Sequence, residues 1–479
     1  MEIKLEKLDE YRWLIPRSGD MRVPGLIFSS SQLISAIKQD QSLAQVRNVA
    51  TLPGIINYSL AMPDIHWGYG FPIGGVAAFD TKEGVVSPGG VGYDINCGCR
   101  LMTTALNAHE IRSRIKELVL ALFNNIPTGV GSSGPLKVSK KDEQKVAKKG
   151  AAWAVENGYG DPEDLERTED YGTMQGADPS VISDRAFKRG ANQLGTLGSG
   201  NHFLEIQVVE KIYDNKVADA FGLFEGQLTV FIHSGSRGFG HQICDDFLKE
   251  MARHIDSHKI KLPDRQLACA PISSNLGQRY LAAMACAANY AWANRQILMH
   301  WTRETFMKAL SISPRELQMR LLYDVCHNIA KIEDHTVEGQ QIKVCVHRKG
   351  ATRALPRGHQ LLPSVYMNVG QPVLIPGDMG TESYVLVGSA AALEQTFASS
   401  CHGAGRVLSR SQAIKRAKGR SINRELEDKG IFVQSRGKKT LKEEMPEAYK
   451  DVSQVVEVVH CAGLATKVAR LRPLGAIKG

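Results

Sequence analysis

The sequence predicts an α+β protein, one large compact domain over residues 1–479 in which mixed β-sheets are surrounded by helices and end in glycine-rich loops. Three observations predict it. Short apolar runs of strand length, at residues 228–232, 344–346, 373–375 and 384–387, each stop at a polar, glycine-containing loop. Stretches with helical spacing lie between such runs, residues 111–123 and Asn275–Leu310 among them. No strand-like run is followed by Gly-x-Gly-x-x-Gly opening a helix, which disfavours a Rossmann sheet.

Taken in chain order, residues 10–15 and 25–28 read as short strands. Residues 32–50 read as a helix, with Leu33, Ile34, Ile37, Leu43 and Val46 at near-helical intervals. From Pro53 to Arg100 glycine-rich loops alternate with short apolar runs, and residues 111–123 form an amphipathic helix. The lysine-rich residues 137–149 suit a solvated helix face or contact with a nucleic acid, and the acidic residues 157–176 a surface loop, so 137–176 is expected as an excursion. Asn275–Leu310 is the longest helical candidate, rich in alanine, without proline, and suited to packing. A basic helix carrying Arg410, Lys415, Arg416, Lys418, Arg420 and Arg424 belongs to a second excursion, 406–445. Residues 455–459 read as a strand close to the end.

Composition narrows the class. With 43% hydrophobic residues the chain can bury a large core, so disorder is excluded as its main state. No stretch reaches roughly 18 uninterrupted apolar residues, and Met1 to Lys7 shows no apolar signal core, so the expectation is a soluble, cytoplasmic protein without membrane contact. Nine cysteines, an odd count without secretory context, point to reduced thiols used for burial or metal. A net charge of +9 is compatible with a polyanionic partner.

The chemistry concentrates in glycine-rich stretches. Gly89-Gly90-Val91-Gly92-Tyr93-Asp94-Ile95-Asn96-Cys97-Gly98-Cys99-Arg100 suits a phosphate loop, a redox pair or a metal site. Asp94 and Cys97 can face one ion there. His202, His233, His327 and His402 stand at ends of regular runs in the same kind of loop. Together these six positions indicate a metal site. Mixed carboxylate, thiolate and imidazole ligation suits zinc, manganese or cobalt, and a thiolate can bridge two ions. Cys99 and Cys326 read as buried small hydrophobes and are left out. Asp64 and His66, two apart, share a strand face, either as a hydrogen-bonded pair ordering their loop or as active-site groups that meet RNA.

Six motifs in order carry a family resemblance over essentially the whole length. They are Gly-Tyr-Asp-Ile-Asn-Cys-Gly at 92–98, Gly-Ser-Gly-Asn-His-Phe at 198–203, His-Ser-Gly-Ser-Arg-Gly at 233–238, His-Arg-Lys-Gly-Ala-Thr-Arg at 347–353, Pro-Gly-Asp-Met-Gly-Thr at 376–381 and Cys-His-Gly-Ala-Gly-Arg at 401–406. The chain resembles the RtcB family of GTP-dependent RNA ligases, which act in tRNA splicing and RNA repair. The resemblance implies two manganese ions bridged by Cys97, with Asp94 and His202 on one and His233 and His327 on the other. It separates His402 from the ligands, as the nucleophile that takes guanylate from GTP and releases pyrophosphate. Guanylate then passes to an RNA 3′-phosphate, itself made from a 2′,3′-cyclic phosphate, and a 5′-hydroxyl displaces GMP.

By the same resemblance Asn201, Phe203, Glu205, Ser383, Tyr449 and Lys478 form the nucleotide pocket, with Tyr449 stacked on the base. Arg237, Lys349 and Arg406 are the candidates for phosphate. RNA ends, GTP and an archease-type activator are the implied partners. Two positions depart from the family pattern: Cys99, where an aliphatic residue is expected, and Asp378, where a small hydroxyl residue is expected. A carboxylate speaks against phosphate contact by its loop, whereas Cys99 leaves the metal ligands intact and adds an oxidisable thiol. Two rivals stay open at this level. One is a metal-dependent phosphoesterase that opens cyclic phosphate ends without joining them, the other a non-catalytic RNA-binding protein with a structural metal.

Overall fold

A computed structural model describes residues 3–479 and has mixed sheets enclosed by helices, the α+β class expected from the sequence. The first sheet has seven strands in the order Glu6–Lys7, Arg12–Ile15, Gly25–Phe28, Ser59–His66, Ile73–Asp80, Gln340–Lys349 and Asn328–Val337. The second has eight, with Arg320–Cys326, Gly98–Asn107, Gln227–Ser234, Phe203–Ile212, Ala465–Lys478, Ser383–Gly388 and Pro372–Ile375 in line and Phe432–Ser435 added parallel to Ala465–Lys478. His327 is the junction: it follows the last residue of a second-sheet strand and precedes the first residue of a first-sheet strand.

Strands of the second sheet are buried on both faces. Met102, Ile206 and Val230 pack with Leu298 and Phe306 of the long helix, whereas their neighbours Leu101 and Phe231 pack on the opposite side with Leu355 and Tyr366. Period-two alternation between two apolar environments produces an unbroken apolar run, which explains why 228–232 carried no amphipathic signal. The register brings functional ends together. Cys326 pairs with Gly98, Gly98 with Ser234, Phe203 with His233, and Lys478 with Phe203, so Cys97, His202, His233, His327 and Lys478 lie at one end of adjacent strands.

The helix Asn275–Leu310 runs as read, opened by Ser274, whose side chain accepts the Gly277 N–H, and closed by Ser311 in the left-handed region. It is buried nearly all round between Ala283 and Met299, as expected of a helix apolar on every side. Its polar exceptions there, Asn289, Asn294, Arg295 and Gln296, are fully buried. Among the described residues no helix is long and apolar enough to cross a membrane.

Several local readings change. Residues 455–459 are helical, inside Val452–Cys461: Val452, Val455, Val456 and Val459 recur at three- and four-residue steps and bury one face, and Asp451 caps the start. Valine's β preference misled the reading, since packing outweighs propensity. The helix expected over 32–50 is two, Leu33–Ile37 and Ser42–Val49, separated where Asp40 accepts the Ser42 N–H. The basic helix is also two, Arg410–Arg416 and Ile422–Asp428. In 137–149, the helix Lys140–Lys149 turns its lysines outward and buries Glu143, Val146 and Ala147, an exposed basic face compatible with both alternatives.

The acidic stretch 157–176 is anchored, not free. Asp164 is gripped through both oxygens by Arg303 at 2.8 Å, and Glu169 takes Lys331 Nζ at 2.6 Å and the Cys326 N–H at 2.8 Å. Buried carboxylates need such partners, and the cations that supply them lie more than a hundred residues away in sequence.

Candidate active site

The two sheets meet around a cavity of about 880 Å³ whose wall includes Asp94, Cys97, His233, His327 and His402. Cys97 Sγ lies 3.3 Å from His202 Nε2 and 3.2 Å from His233 Nε2, and His233 Nε2 lies 3.2 Å from His327 Nε2. Asp94 Oδ2 is 2.9 Å from His202 Nε2. All five residues expected as ligands therefore converge, and the donor atoms of Cys97, His202 and His233 fall within 4.8 Å of one another. Cys99 was left out of the site by sequence. Its thiol shares the same neighbourhood, within that distance of donor atoms of His233 and His327.

Electrostatics suit a cation. Burial, reinforced by neighbouring imidazoles, holds His233 and His327 far below the usual histidine range, so both are neutral. Burial, then the Asp94 carboxylate, pushes the Cys97 thiol well above its ordinary value. Asp94 itself is held low: burial opposes this, but the hydrogen bond and charge of His202 and the charge of Arg237 outweigh it. Arg237 Nη1 stands 3.3 Å from His202 Nδ1, behind the cavity wall.

His402 follows the strand Ser399–Cys401, which pairs with Ala351–Arg353 so that its ring lies against His327 at a 4.7 Å centroid separation. Its Nδ1 is 2.6 Å from Asp64 Oδ2, and its backbone N–H donates to the same oxygen at 3.1 Å. A carboxylate only accepts, so Nδ1 carries the shared proton and Nε2 is the ring nitrogen left for chemistry. The Asp64 carboxylate thus serves His402 and not His66. His66 Nδ1 instead meets the Asp64 carbonyl at 3.0 Å, and burial lowers its pKa to about 4. Neither sequence alternative for Asp64 and His66 included this partner.

Two glycines make this approach possible. A Cβ on Gly405, at φ +74°, would stand 2.1 Å from the Asp64 carbonyl, and one on Gly350, at φ +62°, 3.0 Å from His402 Cε1.

Five of the expected nucleotide residues, Asn201, Phe203, Glu205, Tyr449 and Lys478, line the same cavity, as does the phosphate candidate Arg406. Lys478 belongs to the strand Ala465–Lys478, where Phe203 is its cross-strand partner, and its ammonium sits 5.8 Å over the Phe203 ring. Burial raises the Glu205 carboxyl to about 8, against the opposing pull of Gln207 and Lys478. Ser383 stands one layer back, its hydroxyl accepting from Gln207 Nε2 at 2.8 Å and Gly377 N at 3.2 Å. Tyr449 donates to Glu444, and the Arg406 guanidinium lies 5.0 Å over its ring.

The phosphate candidates have partners already. Lys349 Nζ donates to the carbonyls of Tyr69, Phe71 and Gly89 at 2.5, 3.1 and 3.0 Å, tying three loops together. Arg406 is engaged by Glu444, Tyr449, Leu408 and Glu443. Asp378 folds its own turn: its carboxylate accepts from Gly380 N at 2.8 Å and Thr381 Oγ1 at 2.9 Å, and burial raises its pKa.

Sequence reasoning missed Glu444, Asn328, Arg295 and Asp324. Asn328 donates to the Asp94 carbonyl at 3.0 Å and accepts the Gly350 N–H at 2.9 Å, joining the metal loop to the His402 side. The available signal was a charge inside an apolar run, Asp324 in Leu321-Leu322-Tyr323-Asp324-Val325-Cys326 and Arg295 within the alanine-rich helix.

Comparison with known proteins agrees with this geometry. The family model described as tRNA-splicing ligase RtcB matches residues 45–479. A tRNA-splicing ligase RtcB of Archaeoglobus fulgidus is 55% identical over 481 aligned positions, covering 100% of both chains. One of Thermococcus kodakarensis is 53% identical over 478, covering 100% of this chain and 99% of that one. An RNA-splicing ligase RtcB of Mycobacterium bovis is 54% identical over 438, covering 91% of this chain and 100% of the relative. The converging thiol and imidazoles, the carboxylate-held histidine and the full-length matches lead to one conclusion: the chain belongs to the RtcB family.

Proposed function

We propose that this enzyme is an RNA ligase that joins a 2′,3′-cyclic phosphate or 3′-phosphate end to a 5′-hydroxyl end, using GTP, two manganese ions and His402 as the guanylate-carrying nucleophile. Its RNA-joining class follows from relatives of 50 to 55% identity that carry the name tRNA-splicing ligase. The observation that carries the finer reading is the placement of His402: its Nδ1 is fixed on Asp64 and its ring lies against His327, in a cavity with a nucleotide-sized wall of Phe203, Glu205, Tyr449 and Lys478. The wall of Phe203, Glu205, Tyr449 and Lys478 beside the oriented histidine favours nucleotidyl transfer over simple opening of a cyclic phosphate.

The donor set fits borderline divalent ions. Neutral imidazole nitrogens 3.2 Å apart, one thiol and one carboxylate crowd together with few protons to share, and a cation relieves that crowding. Asp94, Cys97 and His202 would hold one ion and Cys97, His233 and His327 the other. When bound, such ions neutralise phosphate charge and supply Lewis acidity.

The chain's own groups then act in sequence. Asp64 keeps the proton on His402 Nδ1, so Nε2 presents its lone pair to the α-phosphorus of GTP. A P–N bond forms there, the bond to the β-phosphate bridging oxygen breaks, and pyrophosphate leaves. Positive charge developing on the ring faces the Asp64 carboxylate. An RNA 3′-phosphate oxygen next takes the guanylate and breaks the P–N bond. The 5′-hydroxyl of the second RNA attacks the activated 3′-phosphorus and GMP departs. Glu205 and Lys478 recognise guanine with Asn201, Phe203 and Tyr449 around it, and Ser383 orders Gln207 behind Glu205. Arg237, Lys349 and Arg406 frame the phosphate end. Lys349 does so by fixing loops.

The whole chain works as one catalytic domain in the cytoplasm. The test is a paired RNA substrate, one strand ending in a cyclic phosphate and the other beginning with a 5′-hydroxyl, incubated with manganese, with and without GTP and an archease-type activator. Joined product that requires GTP is the expected result. Opening of the cyclic phosphate without GTP and without joining replaces the ligase reading by phosphoesterase. RNA binding with no product of either kind leaves only a binding protein.

A further inference from the structure

One buried side chain outside the cavity touches three of the segments that carry ligands. Arg295 is fully buried on the helix Asn275–Leu310 and does not line the cavity. Its Nε and Nη2 donate to the two oxygens of Asp324, each at 2.8 Å. Nη1 donates to the carbonyls of Asn96 at 2.7 Å and Ser234 at 2.9 Å, and Nη2 also reaches Asn96 Oδ1 at 2.9 Å. A guanidinium has five N–H groups, and these five contacts use all of them. Asn96 precedes Cys97, Ser234 follows His233, and Asp324 lies in the strand Arg320–Cys326 that delivers His327.

We propose that Arg295 is a positioning residue for the metal centre, setting the mutual spacing of Cys97, His233 and His327 by clamping their three backbones to one rigid helix; this rests on those residues being metal ligands, as read above. Four further observations support the clamp. Asn96 turns the chain through a left-handed backbone at φ +51°, which asparagine tolerates better than other side-chain-bearing residues, and so presents both its carbonyl and its Oδ1 to the guanidinium. Its side chain is pinned on the far side by donation to the Ala288 carbonyl of the same helix at 2.7 Å. Gly98 gives the guanidinium room, since a Cβ there would lie 3.0 Å from Arg295 Cζ. Asp324 is held from the other side by Arg100 Nε at 2.7 Å, so the acceptor is fixed as well.

Lysine cannot substitute. Its three donors radiate from one atom and cannot serve a carboxylate through both oxygens together with carbonyls on two other strands. Arg303 provides a matched comparison on the same helix: it grips Asp164 through both oxygens at 2.8 Å and caps the Met319 carbonyl, yet contacts none of the ligand segments.

The test titrates cobalt into the full-length wild-type chain, Arg295→Lys, Asp324→Asn and Arg303→Lys, following the thiolate-to-cobalt absorption band, with thermal melting recorded for each. Asp324→Asn keeps the guanidinium and one acceptor oxygen and gives a second route to the answer where Arg295→Lys accumulates poorly. Expected is an affinity about 10- to 100-fold weaker with an altered band in both clamp variants, and a wild-type titration in Arg303→Lys despite a lower melting temperature. Clamp variants that titrate like wild type overturn the inference, and so does an equal loss in Arg303→Lys, which would make the effect one of general stability. A wild-type chain with no thiolate band removes the metal reading itself, an outcome distinct from failure of the clamp.

Discussion

Asp64 Oδ2 stands 2.6 Å from His402 Nδ1 and also accepts the His402 backbone N–H, so one buried carboxylate oxygen fixes both the ring and the chain of the proposed nucleophile. An amide in its place can present a donor to Nδ1 and stabilise the wrong tautomer. Asp64→Asn is expected to slow guanylylation by on the order of a thousandfold while leaving metal affinity unchanged. Single-turnover transfer of label from α-labelled GTP, read beside a cobalt titration, checks both halves. A rate within tenfold of wild type removes the orienting role.

The two thiols of Cys97-Gly98-Cys99 are separable. Cys97 Sγ touches two imidazoles directly at 3.2 and 3.3 Å, whereas no hydrogen bond joins Cys99 to either histidine. Cys97→Ser is expected to abolish the thiolate-to-cobalt band and end joining activity. Cys99→Val should keep both, because its thiol packs with Leu101, Phe231 and Val325. Loss of the band in Cys99→Val would instead make Cys99 a ligand, which only the geometry, not the sequence, brings into consideration.

The proposed recognition of guanine by Glu205 predicts that GTP binding depends on pH. Burial lifts this carboxyl to about 8, so in the free protein it is protonated at neutral pH. Guanine's N–H edge calls for the carboxylate, and binding must then remove a proton. Affinity should rise about tenfold per pH unit as pH climbs toward about 8 and level off beyond it. Glu205→Gln should bind weakly and without that slope. Calorimetric titration of GTP at a series of pH values decides, and a flat profile in the wild type contradicts carboxylate recognition.

Gly405 is where backbone and site chemistry meet. An alanine there takes a left-handed backbone and places its methyl carbon against the Asp64 carbonyl at 2.1 Å. Gly405→Ala is expected to lower stability by about 1–3 kcal/mol and to slow guanylylation more than the melting shift explains, because Asp64 must move. Thermal melts and single-turnover labelling measure the two effects separately.

Much of the site was legible because its residues announce chemistry: Asp94, Cys97, His202 and His402 sit in glycine-rich loops, His233 directly precedes one at the end of its strand, and His327, with no glycine near it in sequence, joins two strands. Those loops are the ends of neighbouring strands, and the register Cys326–Gly98–Ser234 is what turns scattered motifs into one cluster. What stayed hidden acts through pairing. Arg295 and Asp324 lie in apolar stretches and gain meaning only from each other, and Glu444 was one more acidic residue until Arg406 and Tyr449 turned toward it. The helix Val452–Cys461 was hidden by composition, since five valines read as a strand unless their three- and four-residue spacing is weighed against their β preference. Lys478, next to last in the sequence, is held in a strand, paired with Phe203 on one side and Ser435 on the other.

The most direct measurement is covalent labelling of His402. Wild-type protein and His402→Ala are incubated with manganese and α-labelled GTP, then denatured and exposed to acid or alkali. An acid-labile, alkali-stable label on the wild type, absent from His402→Ala and mapped to the peptide containing Cys401-His402-Gly403, is the predicted result. An undiminished label in His402→Ala, or GTP-dependent RNA joining by that variant, would contradict His402 as the nucleophile.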